Sequence, residues 1–542
     1  MTTPSPADRP DTDSPWTPLG IPAFRALWLA AIASNLGTWA HEVGAAWLMT
    51  SLTSSPTLVA LVQAAATLPM FLLALPAGVA ADLFDRRKIL LLAQGWMAAS
   101  AFLLAASTWL ELVTPPVLLL LTASLAIGMA LSAPAWQAIT PELVGFGALP
   151  KAVALNSMGF NVARALGPAM GGLLLALAGP WANFAVNALS FSGVLLVLLR
   201  WRREPERSSL LPEEGFLGAL RLGMRYVFNS PRMKTVLLRS GLFVLPASAW
   251  WALLPVVARF SLDLGPGGYG ALVGCFGAGA VCAAWMLPPI RKRLDADALS
   301  LMASGIFAVS LVILAVSSRG APGGALAAGG AAVLGGGGWL TVLSGYNVAA
   351  QSAVPAWVRA RALSIYMLVF FGSLSLGSAL WGTVAEQLGS FVALLGASAA
   401  LLLGLFSGKR RLGQVDPSRL APSRHWPTPL VHIEPEPEGS EVLITVEYRV
   451  DPSDAEEFMA AMWVVGRSRR RAGSVRWGLW NDTADPERWV ESFVDESWTE
   501  YLRHHERLTG LDASIEGRAT AFHRGEEPPV VSHYVAVRRQ GR

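Results

Sequence analysis

"GVAADLFDRRK", residues 78–88, decides how this chain is read. Five charges, Asp82, Asp85, Arg86, Arg87 and Lys88, sit in a gap between two apolar runs, Leu58–Ala77 and Ile89–Leu110. A membrane span needs about 20 mostly apolar residues. The two runs therefore read as neighbouring spans, and the charged gap as the loop joining them. Composition agrees. The 542 residues are 53% hydrophobic and only 15% charged, where a soluble domain is about 25% charged. Mean hydropathy is positive.

Working outward, further apolar runs follow at similar length. They are Phe24–Thr50, Leu58–Ala81, Ile89–Leu110, Pro116–Ala138, Val153–Leu177 and Asn183–Leu199, then Val236–Val257, Tyr269–Ile290, Ala298–Val316, Ala325–Gln351, Ala362–Val384 and Ser390–Leu405. This predicts an all-α polytopic membrane protein with 12 transmembrane helices in two six-helix halves. The halves span 21–203 and 235–408, joined by a central cytoplasmic loop over 204–234. Residues 1–20 are polar and Pro-rich, without the basic start and apolar core of a signal peptide, and read as a flexible tail.

Lys and Arg alternate from loop to loop. One set of loops carries Arg86, Arg87, Lys88, then Lys151, then Arg200, Arg202, Arg203, then Arg291, Lys292, Arg293, then Arg359 and Arg361. The other set, "SLTSSP", "ELVTPP", "LAGPWA", "DLGPGG" and "QLGS", has none, and only Arg319 breaks the pattern. Positive loops stay inside, so both ends of the membrane unit are expected in the cytoplasm. The halves also match each other: "KAVALNSMGF" from Lys151 aligns with "RALSIYMLVF" from Arg361, and "LGPAMGG" meets "LGSALWG" in register through Gly172 and Gly382. Such pseudo-symmetry places a transport pathway between the halves.

After Gly408 the composition changes. Residues 409–440 read as a basic, Pro-rich linker and 441–542 as a soluble domain. "EVLITVEYRV" alternates like a strand, Asp451 and Asp454 are cap residues before an amphipathic helix, and "SVRWGLWND" and "ERWVESFVD" form a hairpin across "TADP". With "SWTEYLRHHERL" as a second helix and "SHYVAV" as a last strand, the order β-α-β-β-α-β predicts a ferredoxin-like α+β domain. The two cysteines, Cys275 and Cys282, lie seven apart in one apolar run, too far to bond.

The opening stretch then finds a counterpart. Gly78, Ala81, Asp82, Arg86 and Arg87 resemble the loop signature between spans 2 and 3 of major facilitator superfamily transporters, with Asp85 where Gly is usual. "FRALWLAAIASNLGTWAHEVGAAWL", "PAWQAITPELV" and "NVARALGPAMGG" are similar to the branch that holds the bacterial enterobactin exporter and the transmembrane secretion effectors. The resemblance covers roughly residues 20–408. It implies a conformational latch in which Asp82 holds the start of span 11, with Arg86, Arg87, Arg359 and Arg361 adding charge. Gly167, Pro168, Gly171 and Gly172 resemble the fifth-helix motif of antiporters, which implies export. The physical basis of the latch is general: a carboxylate favours a helix N-terminus, where the macrodipole is positive.

Charges inside spans are the strongest functional leads. Glu42 is the expected proton-coupling carboxylate, with His41 or Arg164 modulating it. A carboxylic acid in a dry cavity exchanges its proton near neutral pH. Neighbours at i and i+1 point apart on a helix, so His41 and Glu42 face different ways. Asn35, Trp39, Gln63, Gln137, Asn161, Trp250 and Trp251 are candidate walls of a substrate cavity, since pockets for amphiphiles combine aromatic walls with few polar groups. The soluble domain resembles dimeric α+β barrels of the antibiotic-biosynthesis-monooxygenase type. Trp477, Trp480, Trp489, His504 and His505 would line a cavity there, although Trp on a strand is more often core and a His-His pair more often solvated surface.

These features predict a secondary transporter of the cytoplasmic membrane that exports a lipophilic or amphiphilic small molecule (siderophore, antibiotic or drug-like) in exchange for protons. Two other readings stand beside it: a transporter fused to a cargo-modifying domain, and a degenerate transport unit serving as sensor or scaffold. The expected partners are the lipid bilayer, protons, a small-molecule substrate and a second copy of the chain bound through the C-terminal domain. No nucleic acid, metal, cofactor or catalytic residue is expected, and no nucleotide-binding Gly-x-x-x-x-Gly-Lys-Ser/Thr occurs.

Overall fold

The charged gap at 84–85 is a two-residue break between two long helices. The structure, a computed structural model, describes residues 14, 16–201, 216–320, 322–409, 411–413, 417–423, 425–426 and 440–537. Expectations for residues 1–13, for Arg202 and Arg203 and for most of the linker lie outside the described residues. The chain divides into two units. One holds Met1–Leu210, Arg239–Gly345 and Met367–Lys409; the other holds Leu211–Leu238, Tyr346–Tyr366 and Arg410–Arg542.

In the first half run α1 (Pro22–Leu52), α2 (Pro56–Leu83), α3 (Arg86–Trp109), α4 (Pro115–Ala178) and α5 (Pro180–Arg200). After α6 (Phe216–Asn229) come α7 (Pro231–Val256), α8 (Pro266–Arg291), α9 (Ala296–Ser317), α10 (Gly324–Ser352), α11 (Arg359–Leu388) and α12 (Ser390–Gly404). Among the described residues ten helices are long and apolar enough to cross a membrane, the two limbs of α4 counted separately. The remaining two of the twelve expected are α1, with Arg25 and Glu42 in its sequence, and the 15-residue α12.

Local chemistry sets the ends. Proline opens α1, α2, α4, α5 and α8, where its missing N–H costs nothing. Gly145, at φ 69°, breaks α4 between its limbs, a left-handed turn open to glycine. Asp85 replaces a usual glycine without strain. Its φ is −59°, and its carboxylate accepts the Lys88 amide at 3.0 Å, capping α3.

The stretch read as a polar loop, 204–234, carries α6 and the start of α7. Leu222 and Tyr226 fall four apart and are buried, while Arg221 and Phe228 are exposed. That spacing makes an apolar stripe on a helix which average polarity conceals.

The soluble part of the second unit holds β1 (Val442–Arg449), α13 (Ala455–Ala472), β2 (Arg476–Asn481), β3 (Arg488–Asp495), α14 (Trp498–Arg507), α15 (Gly510–Thr520) and β4 (Val530–Val535). The sheet order is β2-β3-β1-β4, antiparallel throughout. This is the ferredoxin-like arrangement the sequence predicts, with its second helix in two pieces. Thr509 makes the break, because it forms a capping box with Asp512 and starts α15 anew. Val442, Ile444, Val446 and Tyr448 alternate inward on β1 and pack with Phe458, Met462 and Phe493.

Candidate functional site

Where the two halves meet, glycine allows contact between backbones. A Cβ built on Gly172 of α4 would lie 2.3 Å from the Cα of Gly270 on α8, well inside van der Waals contact. Gly167 and Gly171 sit against Trp39 and Ala40 of α1 in the same way, at 2.5 and 2.7 Å. Pro168 is buried between them. Close packing through small residues is how membrane helices associate. The motif thus turns one edge to α1 in its own half and the next to α8 in the other.

Glu42 lies on α1 two residues beyond Ala40. It is half-buried and within electrostatic reach of Tyr269, the neighbour of Gly270. Trp47, further along α1, stacks on the same Tyr269 with ring centroids 5.4 Å apart. His41 turns the other way. It is 2% exposed, its ring lies 4.7 Å from Phe184 of α5, and neither ring nitrogen has a hydrogen-bond partner among the described residues. The adjacent pair therefore serves different neighbours. Arg164 lies on α4 one turn before Pro168 and is partly buried.

One end of the bundle is drawn shut by polar contacts between the halves. Glu386, near the end of α11, accepts the Ser55 hydroxyl at 2.8 Å and the Thr57 amide at 3.2 Å at the start of α2. One turn earlier a Cβ on Gly382 would lie 2.4 Å from that of Ala60. Arg259 donates to Ser51 at 2.7 Å and lies over the Trp47 ring. Neither Glu386 nor Arg259 stands out in the sequence, since both lie at the ends of apolar runs. Asn183 and Asn187, four apart on α5, give no distinct sequence signal either. Both are fully buried, and Asn183 donates to the carbonyls of Ala40 (2.7 Å) and Gly171 (3.0 Å), tying α5 to both helices beside the seam.

At the charged loop, Arg86 pairs with Glu142 of α4 at 2.7 Å. Arg87 donates to the carbonyls of Leu198 and Leu199, both at 3.0 Å, at the end of α5, the terminus that favours a cation. Both arginines are thus engaged inside the first half. Asp82 lies in the last turn of α2. Arg359 and Arg361 begin α11 in the second unit, Arg359 exposed and Arg361 partly buried.

The cavity candidates separate. Asn35 and Asn161 turn their amides onto carbonyls of their own helices, at 2.9 and 2.8 Å. Gln63 is half-buried and Gln137 exposed. Trp39 packs on Gly167. Trp250 and Trp251 join an aromatic cluster of the second half: Trp251 lies 4.7 Å from Phe276 and 6.1 Å from Trp339, and Trp250 lies 5.5 Å from Phe276. On α7 as well, Arg239, 1% exposed, pairs with Asp297 of α9.

Comparison with known proteins decides the family. The family model described as transmembrane secretion effector matches residues 13–541. The chain belongs to the transmembrane secretion effector family. Enterobactin exporters EntS of Shigella boydii serotype 4 and Escherichia coli O1:K1 are each 31% identical over 239 residues, 44% of this chain and 56% of theirs. The chain thus matches a little over half the length of these curated relatives. Solved structures show the major facilitator fold. A POT family transporter in complex with 5-aminolevulinic acid aligns with a TM-score of 0.57 at 12% identity, over 72% of this chain and 96% of that one. A D-xylose–proton symporter gives 0.55 at 14%, over 72% and 99%.

The transmembrane secretion effector match runs through the soluble domain as well. There the His-His pair departs from the solvated reading. His504 is fully buried and bonds Asp495 at 3.0 Å, and His505 bonds the Tyr501 hydroxyl at 2.8 Å. Burial opposes the Asp495 charge, but His504 holds its carboxyl below the usual range. Arg469 lies between Glu491 (3.0 Å) and Glu516 (2.6 Å), with Trp477 also donating to Glu491. Trp489 is core, whereas Trp480 is 63% exposed. Among the described residues no group of three or more His, Cys, Asp or Glu could hold a metal.

Proposed function

We propose that this protein is a secondary transporter of the bacterial cytoplasmic membrane that exports a lipophilic or amphiphilic small molecule in exchange for protons. The observation that carries the reading is Glu42 beside the Gly172–Gly270 seam, in reach of Tyr269 of the opposite half. A carboxylate there changes surroundings when the halves rock, so its protonation is coupled to their motion. The positive-inside distribution supports an outer-face position for the Glu386–Ser55 end. The conformation seen is then closed to the outside. The antiporter-like motif and the enterobactin exporters among the relatives support export of a siderophore-like or drug-like cargo. Asp82, at the opposite end of α2, is the corresponding latch for the cytoplasmic side.

The test uses inside-out vesicles with a trapped pH indicator, an acidic lumen and a panel of siderophores, dyes and aromatic antibiotics. Lumen alkalinisation on adding one compound, lost in Glu42→Gln, is the expected result. Full pH-driven flux in Glu42→Gln would remove Glu42 from the mechanism.

A second reading concerns assembly. The sheet face away from α13 carries exposed Leu443, Trp480 and Tyr534, with half-buried Val494, along an open groove. We infer that it pairs two copies of the chain. Light scattering of the full-length protein should give a dimer, and Trp480→Lys a monomer; a monomeric wild type would refute the pairing.

A further inference from the structure

Five arginines converge on a cavity of about 240 Å³ inside the second unit. Its walls come from residues 226–232 at the end of α6 and start of α7, residues 353–357 before α11, and the helices α13 and α15. Arg232, Arg467, Arg471, Arg507 and Arg518 line it, and Asp512 is the one carboxylate among the described lining residues.

That carboxylate is already fully used. It pairs with Arg471 and accepts from Ser468 and from both the amide (3.0 Å) and hydroxyl (2.6 Å) of Thr509. Arg507 is matched by Glu500 at 2.9 Å. Arg232, Arg467 and Arg518 make no side-chain hydrogen bond or ion pair among the described residues. Arg232 also lies within Coulombic reach of Arg471 and Arg419. Like charges gathered at one cavity repel unless an anion lies among them. The rest of the wall is aromatic and apolar. Tyr226 and Trp357 meet edge to face at 5.6 Å, with Arg471 over the one ring and Arg507 over the other.

We propose that this cavity binds a phosphate group carrying an apolar or aromatic substituent. Guanidinium forks match phosphate oxygens in pairs, and the start of α7 adds its own preference for an anion. Arg232, Arg467 and Arg518 supply the charge, while Tyr226, Trp357 and the apolar side chains take the substituent. Two sources carry this chemistry, a soluble organic phosphate and a phospholipid headgroup. Bound there, either one ties the segments that lead into α7 and α11 to the soluble domain.

The experiment uses full-length protein and two probes. Phenyl phosphate is titrated by calorimetry in detergent, and retention of phosphatidylglycerol against phosphatidylcholine is read by native mass spectrometry. The variant is Arg467→Ala with Arg518→Ala, both exposed positions, with the double Lys replacement as a second variant that keeps charge but loses the fork. Saturable phenyl phosphate binding that weakens about tenfold or more in the Ala variant, and partly in the Lys variant, supports a soluble ligand. Preferential phosphatidylglycerol retention that the Ala variant loses supports a headgroup. Absence of both in the wild type, or binding unchanged in the Ala variant, overturns the proposal.

Discussion

Gly172 and Gly270 touch through their backbones: a Cβ on the first would fall 2.3 Å, and on the second 2.5 Å, from the Cα of the other. Each belongs to a different half of the molecule, so this contact is also a point where the halves bear on each other. The internal repeat aligns Gly172 with Gly382, and Gly382 makes the equivalent crossing to Ala60 of α2. Two repeat-related glycines thus hold the two flanks of one seam.

A side chain at either glycine should keep the seam open. Gly172→Leu has only backbone in front of it, which cannot step aside as a flexible side chain would. Overpacking of this kind costs about 1–3 kcal/mol. The expected outcome is loss of roughly nine-tenths or more of flux in vesicles, with longer distances between spin labels at Ser54 and Leu388. Gly382→Leu should behave alike. Wild-type flux in both variants would show that closure at this seam is not part of the cycle.

Glu386 closes the same end by charge. Its carboxylate meets the Ser55 hydroxyl and the Thr57 amide at the N-terminus of α2, where an acid is favoured. Glu386→Ala should shift the population toward the state open at that end, seen as a larger share of long Ser54–Leu388 distances. Gln keeps one acceptor and should fall between. An unchanged distance distribution in the Ala variant would make the contact incidental.

The soluble domain should weaken in mild acid. Burial first, then the imidazoles of His504 and His533, push His505 down to about 4 from 6.5, with His425 adding and Asp495 opposing. The unfolded chain binds this proton from about pH 6.5 downward, and the folded domain only near 4. Stability attached to His505 is therefore complete above that window and falls as pH drops through it. Half-exposure limits the loss to about 1–2 kcal/mol. Asp495, Asp512 and Glu516, held below the usual carboxylate range, lose their contribution only at lower pH. Hydrogen exchange of residues 498–507 in the full-length protein, divided by the intrinsic exchange rate at each pH, should show less protection at pH 5 than at pH 7, and His505→Gln should flatten the trend. An equal loss of protection in that variant would assign the effect elsewhere.

The sequence alone determined the elements that depend on local pattern. Apolar run length marked the spans, and the two-residue alternation in "EVLITVEYRV" marked β1 and, with its neighbours, the sheet order. The repeat around Gly172 and Gly382 was also legible, because small residues in register survive as letters. The structure alone decided which groups meet. Glu42 and His41 are adjacent in the chain, yet Glu42 comes within electrostatic reach of Tyr269 of the other half while His41 packs on Phe184 of its own. Glu386 finds Ser55 across 331 positions, Arg86 finds Glu142 across 56, and His504 gains its buried Asp495 partner. Helix α6 was hidden because its apolar stripe is short and diluted by arginines, and it is expressed only where another surface covers it. Periodicity fixes the face a side chain occupies; long-range packing, which no local pattern encodes, fixes what stands opposite.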